Sequence, residues 1–257
     1  MLSTKRRDVF LSKSNDGDVP ILWSCQFMWS QEKTAIFFAG VHCRILRLFI
    51  GEDMVRIYNR DCMEAMQEMK TGQYDLSIVD PPYGIGSLSF CTQNLDRPKK
   101  AKKTNLWNSS APNKKYFDEL RRVSTHQIIW GANYFSNLTG GRIVWYKHQK
   151  HPNMSKCEIA YCSLHSKVEY FDYIWQNVNR KEIIIHPCQK PVALYYWLLQ
   201  KYAKPGWKIL DTHLGSGSIA IACHDLGFNF DGYEIDKQYH DNAMKRFRLH
   251  EQQMKLF

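Results

Sequence analysis

Nothing in this sequence could cross a bilayer as a helix. Its most apolar run, Ala35 to Ile50, is interrupted by His42, Arg44 and Arg47 and falls short of the roughly 20 apolar residues a spanning helix needs. An N-terminal charged-then-apolar stretch ending in a small-residue cleavage site is also missing, so nothing marks the chain for export. The eight cysteines form no CxxC pair and no cluster with histidines at zinc-ligand spacing, which argues against a disulfide framework and indicates no metal site. A reducing cytoplasm is the compartment that cysteine usage implies. Internal repeats are absent, and no Gly-Lys-Ser/Thr follows the glycine-rich turn, which excludes a Walker-type phosphate loop. Acidic residues are in deficit: 25 Asp and Glu stand against 35 Lys and Arg, a formal charge of +10 over 257 residues. Such an excess favours a polyanionic partner over an acidic one.

The excess is uneven. From Leu88 to Arg122, nine Lys and Arg stand against three acids, a local charge of +6. Residues 88–115 are polar, basic and rich in Asn and Ser, and read as one long loop; loops of that length inside a compact domain usually serve function. Residues 1–53 carry apolar clusters without clean periodicity and read as an accessory or upstream segment. A regular pattern begins at Met54, which sets the catalytic unit at 54–257.

In that unit the spacing predicts strand Val55–Tyr58, helix Cys62–Lys70 with core methionines Met63, Met66 and Met69, and strand Asp75–Val79. Helix Tyr116–Arg122 and strand His126–Trp130 follow, then a hairpin pairing Arg142–Tyr146 with Glu158–Ser163. The last third reads helix Pro191–Tyr202, strand Lys208–Leu210, helix Ser218–Leu226, strand Asn229–Tyr233 and helix Asp236–His250. Strands alternating with helices predict an α/β fold, a doubly wound, mostly parallel sheet, with the hairpin adding antiparallel strands at one edge.

Two junctions carry chemistry. Ile209-Leu-Asp211-Thr-His-Leu214-Gly215-Ser216-Gly217-Ser218 runs from strand through two glycines into a helix. Glycine allows close backbone approach and a helix start presents free N–H groups, which together make a nucleotide cradle. The glycines alone fit a plain strand-turn-helix connection equally well. Glu234, at the end of the next strand, stands where doubly wound folds place the acid that accepts both ribose hydroxyls.

At the other junction, Ser77-Ile-Val-Asp80-Pro81-Pro82-Tyr83, a buried strand ends in an acid, two prolines and a ring. Prolines have no N–H, so this turn offers acceptors without competing donors and matches an exocyclic NH2 group. Hydrogen bonds accepted from both amine hydrogens localise the nitrogen lone pair, and Asp80 stabilises the positive charge that develops. Tyr83 supplies a platform for a base withdrawn from its stack.

Taken together, these residues resemble the amino-methyltransferases of DNA that use S-adenosylmethionine, whose catalytic signature is D/N-P-P-Y/F. The order Asp80-Pro-Pro-Tyr, then His186-Pro-Cys-Gln-Lys190-Pro191, then Asp211 to Ser218, is similar to the permuted β group and its compact phage and prophage members, over about Val55 to Leu249. Asn59-Arg-Asp61-Cys62 resembles that family's Gly-Asp-Cys element, with Arg60 in the Gly place. His213 stands in an aromatic place, Ser218 in a Thr place and Cys188 in another Thr place.

The resemblance implies a Rossmann-like fold. It also implies that Asp61 with Cys62, His186, Lys190 with Pro191, Asp211, the Leu214–Gly217 turn and Glu234 with Ile235 hold S-adenosylmethionine, Lys190 near its methionine end. Asp80, Pro81, Pro82 and Tyr83 would hold the target base, with Asp80 favouring adenine N6. Cytosine N4, RNA adenine and a DNA-binding relative of weak activity are the alternatives. The implied partners are double-stranded DNA and a cognate restriction endonuclease. Lys99, Lys100, Lys102 and Lys103, and Lys147 in the hairpin connection, are the candidate phosphate contacts. The segment 164–185 is short for target recognition and implies a short target sequence or modest specificity, with the 88–115 loop as a further recognition candidate.

Overall fold

A computed structural model describes residues 54–86, 110–149, 155–174, 182, 184–186 and 188–254. The expected accessory segment 1–53, Lys99, Lys100, Lys102, Lys103 and the rest of the expected basic loop up to 109, and residues 175–181 and 183 of the expected recognition segment lie outside the described residues.

Eight strands form one sheet in the order β1-β8-β7-β2-β3-β5-β4-β6. They are β1 Val55–Asn59, β2 Tyr74–Val79, β3 Ser124–Trp130, β4 Gly141–Tyr146, β5 Cys157–Cys162, β6 Val168–Asp172, β7 Lys208–Asp211 and β8 Asn229–Glu234. The helices are α1 Cys62–Glu68, α2 Lys114–Val123, α3 Val192–Tyr202, α4 Ser218–Leu226 and α5 Lys237–Met254. Successive residues of a strand point to opposite faces of the sheet, and the central strands are covered by apolar side chains on both faces. Ile128 and Trp130 pack into a core closed by α3, α4 and α5, whereas Ile129 packs into a second core closed by α1 and α2. Burial on both faces is why the central strands β2 and β7 are buried at nearly every position. Met66 and Met69 lie in the second core, as their spacing predicts; full burial of such a side chain contributes about 1.5–3 kcal/mol.

The predicted hairpin is present: β4 and β5 pair antiparallel from Gly141↔Cys162 to Tyr146↔Cys157. It is not the edge, and it adds only one reversed strand. β5 inserts between β3 and β4, antiparallel to both, so β4 runs with the parallel set, and β6 pairs parallel to β4 as the outermost strand. β6 lies within the segment 164–185 expected to serve target recognition. Its face alternates, but Val168 and Tyr170 are apolar on the exposed side, which hid the strand from a polarity pattern. Helix α2 begins at Lys114, inside the expected 88–115 loop, because the Asn113 side chain accepts the Tyr116 N–H at 3.2 Å and caps it.

The chain leaves β2 toward β3 on one side and β7 toward β8 on the other, and β2 and β7 are neighbours. Their junction is therefore the topological switch point, where open sheets of this kind form a crevice at the carboxyl ends of the strands.

Candidate active site

Because β1, β8, β7, β2, β3 and β4 run in one direction, their carboxyl ends share one rim. Residues at those ends are Asp61 after β1, Glu234 on β8, Asp211 on β7, Asp80 after β2, Gly131 after β3 and Lys147 after β4. The start of the reversed strand β5, Glu158, reaches the same rim because it pairs with Trp145. Residues separated by more than a hundred positions are thus brought to one crevice.

The glycine turn is built as the sequence predicts. Gly215 and Gly217 have φ of +55° and +72°, a region that side chains with a Cβ rarely adopt. Gly217 caps α4, and a Cβ there would also meet that of Ala243 at 3.3 Å. His186 packs its ring over Gly215 and meets Tyr239 edge-on, which joins the His186–Pro191 element to the cradle. Pro191 precedes α3 as its cap.

Glu234 accepts the Gly215 N–H on one oxygen and the Asp236 N–H on the other, each at 2.9 Å. Its carboxylate is thereby fixed in orientation, with a lone-pair direction left on each oxygen. Asp61 caps α1, accepting the Met63 and Glu64 N–H groups. Asp61, Cys62, Glu234 and Ile235 line one cleft together with Arg60, Thr212 and His213, three residues that sequence reasoning did not assign to it. His213 is held neutral, its imidazole lowered to about 4 by burial. Tyr116, whose hydroxyl lies 2.7 Å from the Thr212 hydroxyl, braces this wall from α2.

Asp211 is only 2% exposed. One oxygen accepts the His213 N–H at 2.9 Å. Burial pushes its carboxyl up to about 8, and the nearby Asp80 and Glu234 add to the rise. A buried acid in acidic company is a receptor for a cation. S-adenosylmethionine carries an ammonium and a sulfonium beside an adenosine, so the acid at Asp211, the open glycine turn and the oriented Glu234 fit that molecule.

Both oxygens of the Asp80 carboxylate are engaged by neighbouring side chains. The Tyr83 hydroxyl donates to Asp80 Oδ1 and the Lys190 ammonium to Asp80 Oδ2. Burial, Asp80 and Glu158 push the Tyr83 hydroxyl well above its ordinary range, so it stays protonated. Its ring stacks on Tyr134 with centroids 4.9 Å apart, and Phe135 meets it edge-on. Gly131 makes room for the ring: a Cβ there would lie 2.2 Å from Tyr83 Cε1.

Lys190, expected near the methionine end of the cofactor, lies 4% exposed between Asp80 and Glu158, with its ammonium 5.3 Å from the centre of the Trp130 ring. Lys147 turns inward. Its ammonium is 2.9 Å from Glu158 and its side chain is 15% exposed, which does not present it as a surface phosphate contact. Trp130 and Trp145 pack in the core, as expected, with rings 6.5 Å apart. Away from the rim, His224 and His250 both bond Asp225 Oδ1, at 2.9 and 2.7 Å, and tie α4 to α5.

A doubly wound sheet with an acid-lined nucleotide cradle at its switch point, beside a carboxylate followed by two prolines, defines a Rossmann-like methyltransferase that uses S-adenosylmethionine. The model of the N6/N4 DNA methylase family matches residues 87–245, more than half of the chain, and the chain belongs to that family. It is 25% identical over 238 residues to the type II methyltransferase M.HpaI of Haemophilus parainfluenzae, covering 74% of this chain and 73% of that one. Another relative, the type II methyltransferase M2.DpnII of Streptococcus pneumoniae, is 22% identical over 245 residues, 77% of this chain and 91% of the relative. The crystal structure of the M1.HpyAVI–SAM complex aligns with a TM-score of 0.50 at 22% identity, over 74% of this chain and 98% of that one, and shares the fold. No helix among the described residues is long and apolar enough to cross a membrane.

Proposed function

We propose that this chain transfers a methyl group to the exocyclic N6 amine of adenine in double-stranded DNA, with the target base turned out of the helix. The observation that supports this most is the neighbourhood of Asp80: a carboxylate followed by two prolines at the end of β2, beside the cradle at the end of β7. S-adenosylmethionine bound in that cradle supplies an electrophilic methyl carbon on sulfur.

Asp80 and the carbonyls of Pro81 and Pro82 accept the two amine hydrogens and direct the nitrogen lone pair at that carbon. Once methylated, the amine nitrogen would carry an acidic proton, which Asp80 accepts and passes to water. Tyr83 holds the base plane. Asp61 with Cys62, His186, Asp211, Leu214 to Gly217, and Glu234 with Ile235 bind the cofactor. Lys99, Lys100, Lys102 and Lys103 follow the catalytic turn in sequence and contact phosphates. A cognate restriction endonuclease is the functional counterpart, and the cytoplasm the working compartment.

The test is incubation of the purified chain with duplex DNA and isotopically labelled cofactor, followed by mass spectrometry of the digested nucleosides. Labelled N6-methyladenine is the expected product. Labelled N4-methylcytosine would replace the base assignment, a label confined to RNA would replace the polymer, and no label in any nucleic acid would reject the reading.

A further inference from the structure

Asp80 is held by two donors, and one of them is a cation. An ammonium seated on Asp80 opposes the positive charge that the amine must develop, so Lys190 has to be accommodated elsewhere when the amine arrives. Glu158 is placed to do this. Its Oε1 accepts from Lys147 at 2.9 Å. Its Oε2 lies 3.2 Å from the Lys190 ammonium but out of hydrogen-bonding alignment, and it is one of the few buried side-chain polar atoms that have no hydrogen-bond partner among the described residues. Burial alone would raise this carboxyl; Lys190 and Lys147 overcome it and hold it below the usual carboxylate range, so it remains an anion. Lys190 is likewise kept charged: burial acts to lower it, and Asp80 and Glu158 outweigh that.

We propose that Glu158 is a positioning residue for the methyl transfer: it takes over the Lys190 ammonium and frees Asp80 Oδ2 for the target amine. This rests on the reading of Asp80 given under the proposed function. The geometry asks for little movement, because the ammonium already touches both carboxylates and the unmade hydrogen bond at Glu158 Oε2 is completed as the one to Asp80 is released. Lys147 anchors the other oxygen, so Glu158 stays in place while Lys190 exchanges partners. Two ammonium groups and two carboxylates keep the cluster neutral while Lys190 exchanges partners.

The test is a double-mutant cycle in single turnover. Glu158→Gln keeps the shape and removes the charge. It is expected to lower the rate by about tenfold or more while cofactor and DNA dissociation constants change less than about twofold; in the Lys190→Gln background the same change is expected to move the rate less than about twofold, since nothing remains to be held. Glu158→Asp is expected to restore part of the loss. Equal losses in both backgrounds, or a full rate in Glu158→Gln, would overturn the proposal.

A second readout needs no turnover. With S-adenosylhomocysteine present, the Lys190 ammonium resonance is expected to shift when duplex DNA is added to the wild type and to stay unmoved in Glu158→Gln; a shift in both, or in neither, counts against the proposal. If the wild type methylates no DNA, the functional reading fails on its own, and the resonance still reports whether Lys190 changes partner.

Discussion

The rings of Tyr83 and Tyr134 lie 14° from parallel with centroids 4.9 Å apart. Tyr83 is therefore already stacked before any base arrives, and Tyr134, 41% exposed, covers it from the solvent side. A base that stacks on that face must displace Tyr134. Aromatic pairs of this kind are worth about 0.5–1.5 kcal/mol, so Tyr134→Ala is expected to tighten capture of the extruded base about 2- to 10-fold. Tyr134→Phe should change little. Fluorescence of 2-aminopurine placed at the methylated position reports this directly; equal signals from Ala and Phe variants would show that Tyr134 does not compete.

Gly131 supports the same ring from behind. With φ of +76° and a Cβ that would sit 2.2 Å from Tyr83 Cε1, Gly131→Ala must move the ring. Overpacking costs about 1–3 kcal/mol, and a left-handed backbone adds about 1–2 kcal/mol for a residue with a Cβ. Thermal unfolding should record the loss. Turnover is expected to fall more than stability alone explains, since Tyr83 and through its hydroxyl Asp80 are displaced together.

Asp80→Asn separates chemistry from cofactor binding. Removing a group that stabilises developing charge typically costs about 10²- to 10³-fold in rate. The cofactor dissociation constant, read by calorimetry, should stay within about threefold, because the Asn keeps the shape of the turn. A variant retaining most of its turnover would remove Asp80 from the reaction.

The Asp211 carboxyl is pushed up to about 8 by burial, whereas an unfolded aspartate titrates near 4. Between those values the folded chain holds a proton that the unfolded chain has lost, so stability falls as pH rises through that window. Asp211→Asn should flatten this decline in the unfolding midpoint from pH 5 to 8.5. For the wild type at pH 7, binding the cationic cofactor should release close to one proton, visible as a calorimetric enthalpy that depends on the buffer's ionisation heat.

Much of the crevice was legible in the chain because its pieces are local. Asp211 to Ser218 specifies a strand end, two left-handed glycines and a helix start within eight residues, and Asp80 to Tyr83 specifies an acceptor-rich turn within four. Gly131, by contrast, reads as an ordinary small residue. Its role depends on a ring 48 positions earlier that fills the space a side chain would take. The outermost strand escaped because Val168 and Tyr170 are apolar where an exposed face is normally polar.

The sequence by itself determined the alternation of strands and helices, and hence a parallel sheet whose carboxyl ends gather Asp61, Asp80, Asp211 and Glu234. Only the tertiary structure decided what surrounds Asp80. Lys147 and Lys190 read as solvent-facing or cofactor-facing cations, since a charge is buried only when paired, and pairing cannot be seen along the chain. The reversed strand β5, in the register that sets Glu158 against Trp145, brings the carboxylate that both lysines require. A shift of one residue would point Glu158 to the other face of the sheet.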